Sequence, residues 1–350
     1  MRGYETKVSA AFDGSARDLI AYKSANEKKR AVFGTPDKLY EHDGDRIVDI
    51  TPITTAVTLA NCFGTSSGST RVCCSDAAHG RAVGDYVYFT STAAFNNVSL
   101  STNVYPVVSI ESASVFTISV TDAANATASD TGSATFNYLI PTGNSIAVAG
   151  TGYGAAIYQA TVCASQTRAW NEEASADATD IVFNITQWSL DNWGQDVVAN
   201  RSGSNIFYFN SDASTVPIRA TSITTSPISV HSIVVSPNDR HLIALGANEY
   251  SASATVSGTF NPMLVRWSDQ DDRTNWVPSV SSTSGEVVLT DGTKIVGGVR
   301  SKNAINVWTD NALWLMSFAG PPFTFKFQQA GTNCGLMAQH AGIDYNGVTY

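Results

Sequence analysis

Charge is scarce in this 350-residue sequence: Asp, Glu, Lys and Arg make up 15% of it, and acids outnumber bases by 30 to 21, for a net charge of −9. A protein that grips nucleic acid by neutralising phosphates gathers Lys and Arg on one face. This balance argues against such a grip and is compatible with a surface past which DNA slides in weak contact. No uninterrupted apolar run of about 18 residues occurs, so no membrane-spanning helix is predicted. The opening MRGYETKVSAAFDG lacks the apolar core of a secretory signal. Five cysteines, Cys62, Cys73, Cys74, Cys163 and Cys334, form no C-x-x-C pair, and their odd number leaves one over in any intramolecular pairing. Buried reduced thiols are the expectation, with adjacent Cys73 and Cys74 on opposite faces of a strand.

The local signatures of catalysis are also sparse. The five histidines, His42, His79, His231, His241 and His340, show no H-x-H, H-E-x-x-H or Cys/His metal spacing. The sequence is read as holding no nucleophile elbow and no phosphate-binding loop. A glycosidase needs two carboxylates about 5–10 Å apart across the scissile bond, and the acids here sit mostly in turns. The expectation is therefore no enzyme, no catalytic residue, no cofactor and no metal.

What is present is a succession of short β-strands. Long Leu/Glu/Lys/Ala helical runs are missing, while Gly, Ser, Thr, Asn and Val abound, which favours an all-β chain. Residues 294–318 show the unit: Ile295-Val296, then Ile305, Val307 and Trp308, then the turn Thr309-Asp310-Asn311 into Leu313-Trp314-Leu315-Met316. Such strands broken by turn residues make an antiparallel meander. The pattern recurs at Asp196-Val197-Val198-Ala199 with Ile206-Phe207-Tyr208-Phe209, at His241-Leu242-Ile243-Ala244 with Leu264-Val265-Arg266-Trp267, and at Asp18-Leu19-Ile20-Ala21 with Lys38-Leu39-Tyr40.

Composition divides the chain. Residues 1–56 are rich in charge and hold the hairpins around Thr35-Pro36-Asp37 and His42-Asp43-Gly44-Asp45. From 57 to 142 the only charged residues are Arg71, Asp76, Arg81, Asp85, Glu111, Asp122 and Asp130, and Lys and Trp are absent. Phe116, Ile118 and Val120 alternate with Thr117 and Ser119, the period of a half-buried strand. We read 57–142 as a small β-barrel or sandwich module inserted into a repeating domain. With it removed, Asp18 and Asp196 stand 92 residues apart, two intervals of 46, Asp196 and His241 45 apart, and His241 and Ile295 54 apart across a longer loop; a period of about 45–50 residues is the length of a four-stranded β-propeller blade. The expected blades are one in 1–56, then 143–186, 187–232, 233–286 and 287–335 within 143–350, and the start of a further blade at 345–350. A β-sandwich is the alternative; it has strands at similar spacing but gives no reason for the period.

Trp188, Trp193, Trp267, Trp276, Trp308 and Trp314 fall at or near strands and are expected to pack between sheets; a carbohydrate platform is the functional alternative. Asp191 lies between Trp188 and Trp193 and is counted with them as a structural residue. Asp269 opens Ser268-Asp269-Gln270-Asp271-Asp272-Arg273-Thr274-Asn275-Trp276, which compares with the Asp-box hairpin of sialidase-type propellers but has no Gly between Ser268 and Trp276. Its aspartates are expected to accept backbone N–H groups; calcium ligation is the alternative. Glu172, Glu173, Asp177 and Asp180 read as a solvated acidic loop.

Several stretches, in order, resemble the tail nozzle or tail hub proteins of short-tailed bacteriophages. They are Gly34-Thr35-Pro36-Asp37-Lys38-Leu39-Tyr40 with Asp49-Ile50-Thr51-Pro52, Gly152-Tyr153-Gly154-Ala155, Trp188 through Gly194, Leu264 through Asp271, and Val307-Trp308-Thr309-Asp310 with Gly320-Pro321-Pro322-Phe323. Ala78-His79-Gly80, Val83 through Val87 and Val115 through Ile118 are similar to a small β-barrel module that such proteins often carry. The resemblance implies a β-propeller subunit of the virion, assembled in the host cytoplasm into a homo-oligomeric ring, usually a hexamer. That ring lies beneath the portal and adaptor, beside tail fibres or spikes, and DNA passes through it without sequence-specific binding. It implies no catalytic residue. The family normally has an N-terminal arm and further blades beyond the equivalent of Tyr350, and neither is read here.

Overall fold

The computed structural model describes residues 12–36, 38–92, 94–100, 103–129, 132–140, 187–212, 219–252, 258–320, 323–345 and 347–350. The blade expected over 143–186, with Cys163 and the acidic stretch from Glu172 to Asp180, lies outside them, as do Asp37, Pro321 and Pro322. Every regular element among the described residues is a strand.

The first sheet is β1 (Asp18–Lys23), β2 (Lys29–Gly34), β3 (Leu39–His42) and β4 (Ile47–Asp49). An eight-stranded sheet follows, made of β5 (Val57–Ala60), β6 (Phe63–Thr65), β7 (Arg71–Ser75), β8 (Tyr86–Thr92), β9 (Val104–Ser112), β10 (Val115–Ser119), β11 (Ala128–Ser129) and β12 (Ser133–Tyr138). The second four-stranded sheet is β13 (Trp188–Trp193), β14 (Asp196–Arg201), β15 (Ile206–Phe209) and β16 (Thr221–Ser222). The third is β17 (Val230–Val235), β18 (Leu242–Asn248), β19 (Phe260–Trp267) and β20 (Gly285–Val288). The fourth is β21 (Ile295–Arg300), β22 (Ile305–Thr309), β23 (Ala312–Gly320) and β24 (Thr324–Thr332), and a hairpin of β25 (Asp344–Tyr345) and β26 (Val348–Thr349) ends the chain. All four four-stranded sheets are antiparallel meanders whose spatial order is their chain order.

The chain forms two compact units, residues Met1–Pro52 with Thr186–Tyr350, and Ile53–Ile185. In the first, β1 packs on β13, β13 on β17, and β17 on β21. First strand against first strand, sheet after sheet, is the radial arrangement of a β-propeller, not the facing layers of a sandwich. The third sheet shows why the sequence folds so. Along β17, Ile233 and Val235 enter one apolar cluster with Trp193, Val198 and Ile206 of the second sheet. The intervening Val234 enters another, with Ile295, Ile305, Val307 and Met316 of the fourth. Along β18, Leu242 and Ala244 alternate in the same way with Ile243 and Leu245. A sheet covered on both faces must be apolar at every position, and each such side chain contributes about 1.5–3 kcal/mol on burial. The β13–β14 hairpin closes through Gly194-Gln195, with φ +68° at Gly194 alone. That is the type II′ pattern, which a side chain at the first position would strain.

The repeat is therefore real, but the landmarks read from sequence are out of phase. Asp18 and Ile295 begin first strands, whereas Asp196 begins a second strand and His241 immediately precedes one.

In the second unit the eight strands run in the order β11-β6-β7-β10-β9-β8-β12-β5. One face supplies Phe63, Val72, Cys74, Val87, Phe89, Val107, Phe116, Ile118 and Phe136 to a single core. One face of one sheet meets itself only if the sheet curls, which gives a barrel-like module. Cys62 and Cys74 are reduced and buried, but Cys73 is disulfide-bonded, which overturns the expectation of reduced thiols at that position. Alternation along β7 explains the difference: Cys74 joins the core, whereas Cys73 points to the other face.

Candidate functional site

The first strand of a propeller blade is a sheet edge, so half of its backbone N–H and C=O groups lack a ladder partner and must find others. Side chains of neighbouring blades supply them here. The Asp18 carboxylate on β1 accepts the Leu190 N–H of β13 at 2.9 Å. The Ser189 hydroxyl accepts the Ile233 N–H at 3.1 Å and donates to the Ile233 carbonyl at 3.0 Å. Asp191 accepts the Val235 N–H at 2.7 Å and pairs with Arg300 of β21 at 2.7 Å. His231 on β17 pairs with the Val296 carbonyl at 3.2 Å. The axis is thus stitched from blade to blade by polar side chains.

A recess of about 190 Å³ opens where these strands converge, lined by Asp18, Ser189, Asp191, Ser232, Arg300, Gln339 and His340 among others. The last two arrive on a strap after β24. The Cys334 and Leu336 N–H groups donate to the Asn311 and Thr309 carbonyls at 3.0 and 3.2 Å, and His340 Nε2 lies 3.1 Å from the Trp188 carbonyl. Gly297 makes room for the strap, since a Cβ there would sit 2.7 Å from the Gln339 carbonyl oxygen. Burial pushes the Asp18 carboxyl above its ordinary value, against the pull of His340 and the Leu190 N–H. Burial also pushes Asp191 up, outweighing Arg300 and the Val235 and Asn192 N–H groups.

Of the residues singled out from sequence, Asp191, the landmark Asp18 and His340 reach this recess. Trp188 is fully buried beside it, with its indole N–H on the Thr35 carbonyl at 2.8 Å. Trp193 and Trp276 share the cluster between the second and third sheets. Trp267 lies between the third and fourth, its N–H on the Thr283 carbonyl at 2.8 Å and its ring edge-on to Phe325. Trp308 is buried against Gly342, and Trp314 is half-buried on β23.

Asp269 organises the β19–β20 loop. Its carboxylate accepts the Gln270 N–H (2.9 Å), the Thr283 N–H (2.8 Å), the Thr283 hydroxyl (2.6 Å) and the Asn275 side-chain amide (3.0 Å). Partial burial raises its pKa, but the Thr283 and Gln270 hydrogen bonds outweigh it and hold Asp269 below the ordinary carboxylate value. Asp271 pairs instead with Arg240 at 2.8 Å, and Asp272 with the Thr274 N–H and hydroxyl. The three carboxylates address separate partners rather than one shared ion.

Sequence reading missed two arrangements. Asp239, His241 and Thr283 form a carboxylate–imidazole–hydroxyl chain: Asp239 binds Nδ1, and Nε2 lies 3.0 Å from Thr283 Oγ1. The order is that of a nucleophilic triad, but the Thr283 proton is committed to Asp269 and His241 is fully buried. The chain joins two loops and presents no nucleophile. Gly64-Thr65-Ser66-Ser67-Gly68 has the letters of a G-x-S-x-G elbow, contrary to the reading above. It spans the end of β6 and the turn into antiparallel β7, whereas an elbow requires a strand-to-helix turn. Only the GxSxG spelling was legible; Asp239, His241 and Thr283 meet through tertiary packing.

No protein-family model matches the chain, and no curated protein matches it. Among solved structures it is similar to the endosialidase of phage phi92, at 15% identity and a TM-score of 0.26, over 93% of this chain and 50% of that one. The chain thus spans about half the length of that enzyme, and the propeller assignment rests on the strand order and sheet packing above.

Proposed function

We propose that the chain is a mechanical part of a phage tail: a nozzle- or hub-type propeller subunit whose copies form a ring, hexameric by the resemblance, that continues the DNA channel below portal and adaptor. The observation that carries this reading is the stitched axis. Asp18, Ser189 and Asp191 spend their polar atoms on the backbone and side chains of adjacent blades, which suits a part that must hold its shape under load. The recess is below the ~300 Å³ of even a small ligand pocket, so a duplex would pass through the lumen of the ring and not along the propeller axis. With a net charge of −9, that lumen would hold phosphates weakly and let them slide. Native mass spectrometry of the purified protein, with DNA titrated at physiological salt, tests the proposal. A closed ring with little salt-sensitive DNA affinity is expected. A monomer that turns over a glycan, or submicromolar DNA binding, would refute it.

A further inference from the structure

Two apolar sheet faces of the propeller unit have no sheet packed on them among the described residues. The first belongs to the hairpin of β25 and β26. It rests on the far face of the fourth sheet, where the Asn306 side-chain amide donates to the Thr349 hydroxyl at 2.6 Å and a Cβ at Gly342 would meet the Trp308 ring at 3.2 Å. Thr349 stands opposite Asp344, and strand alternation turns their neighbours the other way. Ile343, Tyr345, Val348 and Tyr350 therefore share the outward face, and all four are between 52% and 72% exposed. With about 150 Å² open on each tyrosine, the patch reaches about 400 Å², the size at which exposed apolar surface marks an interaction site. The second face is on the first sheet. Asp18 reaches β13, whereas Leu19, opposite Phe33 across β1 and β2, points away from β13 and is 61% exposed. Phe12 packs edge-on to Phe33, with ring centroids 5.0 Å apart, and widens that face. Lys23 and Lys29, opposite each other on β1 and β2, rim it.

We propose that these two faces bind each other between copies of this chain: the hairpin of one protomer docks on the first sheet of its partner. The contact continues the packing that builds the unit, in which the third sheet is covered by a neighbouring sheet on both faces. A two-stranded hairpin is marginal in water and gains stability from a further layer against its apolar face. The partner surface is chosen by charge as well as by shape. Exposed Tyr345 and Tyr350 rings set against the Lys23 and Lys29 rim would add cation–π attraction, which pairing hairpin on hairpin would lack. Because the two faces differ, the contact is head-to-tail, and head-to-tail contacts close into rings when the rotation allows. The inference thus rests on the ring reading and assigns its interface.

Leu19→Asp and Tyr345→Asp each put a charge into one face and leave the other intact. Both side chains point to solvent in the protomer, so the unfolding midpoint reported by tryptophan fluorescence should stay at the wild-type value. Native mass spectrometry and analytical ultracentrifugation of the intact chain should find the wild type assembled. Each variant alone should associate at least about tenfold more weakly, because docking would bury an unpaired charge. An equimolar mixture of the two should form a one-to-one pair that grows no further, since the hairpin of Leu19→Asp and the first sheet of Tyr345→Asp still match. A monomeric wild type, a variant that keeps wild-type mass, Leu19→Asp pairing with itself, or a mixture that stays monomeric would overturn the inference. The mixed pair is expected whether or not the wild type closes. An open string of wild-type protomers would refute the ring and leave this interface standing, while a ring insensitive to both variants would do the reverse.

Discussion

Replacing Gly34 by Ala should loosen the first blade from the second by a calculable amount. A Cβ at Gly34 would lie 2.2 Å from Cδ1 and Cγ of Trp188 and 2.8 Å from its Cβ. The indole is fully buried and pinned by its hydrogen bond to the Thr35 carbonyl at 2.8 Å, so it cannot yield by a rotamer change alone. Gly34 has no positive φ, and alanine therefore carries no backbone penalty there. Overpacking costs about 1–3 kcal/mol, and losing the indole hydrogen bond about 1 kcal/mol more, which together give about 2–4 kcal/mol. Gly298→Ala is the control: its Cβ would meet the Leu245 Cδ1 at 2.6 Å, the far end of a flexible chain, for about 1 kcal/mol or less. Urea unfolding followed by tryptophan fluorescence reads mainly the propeller unit, because six of the seven tryptophans lie in it and only Trp170 falls between Ile53 and Ile185. Trp188→Ala alone should cost about 3–5 kcal/mol, and in that background Gly34→Ala should be neutral or slightly stabilising. A Gly34→Ala protein within about 0.5 kcal/mol of wild type, or additivity in the double variant, would refute the reasoning.

Three further outcomes follow from single contacts. Because burial raises the Asp191 pKa, its contribution to stability is present below the ordinary carboxylate value and lost as pH rises through the raised one. The deficit of Asp191→Asn, about 1–3 kcal/mol from an unpaired Val235 N–H or Arg300, should therefore shrink as pH rises above the ordinary carboxylate value. A deficit that grows in urea titrations over that range would show that Arg300 outweighs burial. Thr283→Val removes the hydroxyl shared by His241, Asp269 and the Gln270 N–H and should cost about 2–3 kcal/mol; a cost below about 0.5 kcal/mol in the same assay would mean the chain is slack. Phe89→Ala empties the centre of the barrel-like core against Phe63 and Phe136 and should cost about 3–5 kcal/mol. Calorimetry should show the transition of that module moving while the tryptophan-reported one stays, and joint movement would contradict two separate units.

The strands were legible because their side chains alternate or run continuously apolar, as Phe116 and Ile118 or Leu242 through Leu245 do. Their phase was not. A search for apolar quartets finds second strands such as Asp196–Arg201, which are buried on both faces. It passes over WSLDNW of the first strand, which carries Ser189, Asp191 and Asn192. That first strand looks polar because it is an edge at the axis, and Ser189 and Asp191, which make it inconspicuous, are residues that stitch the blades. Asp191 was noticed only for its place between two tryptophans in Trp188 through Gly194. Its partners lie 44 residues away at Val235 and in another blade at Arg300, distances over which no local pattern runs.

Two kinds of cohesion therefore act at different radii, and they respond to different perturbations. Away from the axis the sheets meet through apolar clusters such as that of Ile243, Val265, Ile305 and Val307, whose strength depends on buried area and is indifferent to pH and salt. At the axis they meet through carboxylates, hydroxyls and one guanidinium, whose strength depends on protonation and on which atoms are left unpaired. Rising pH, which charges the buried Asp18 and Asp191, should thus weaken the axis by the cost of burying charge, while the outer packing holds the sheets in register.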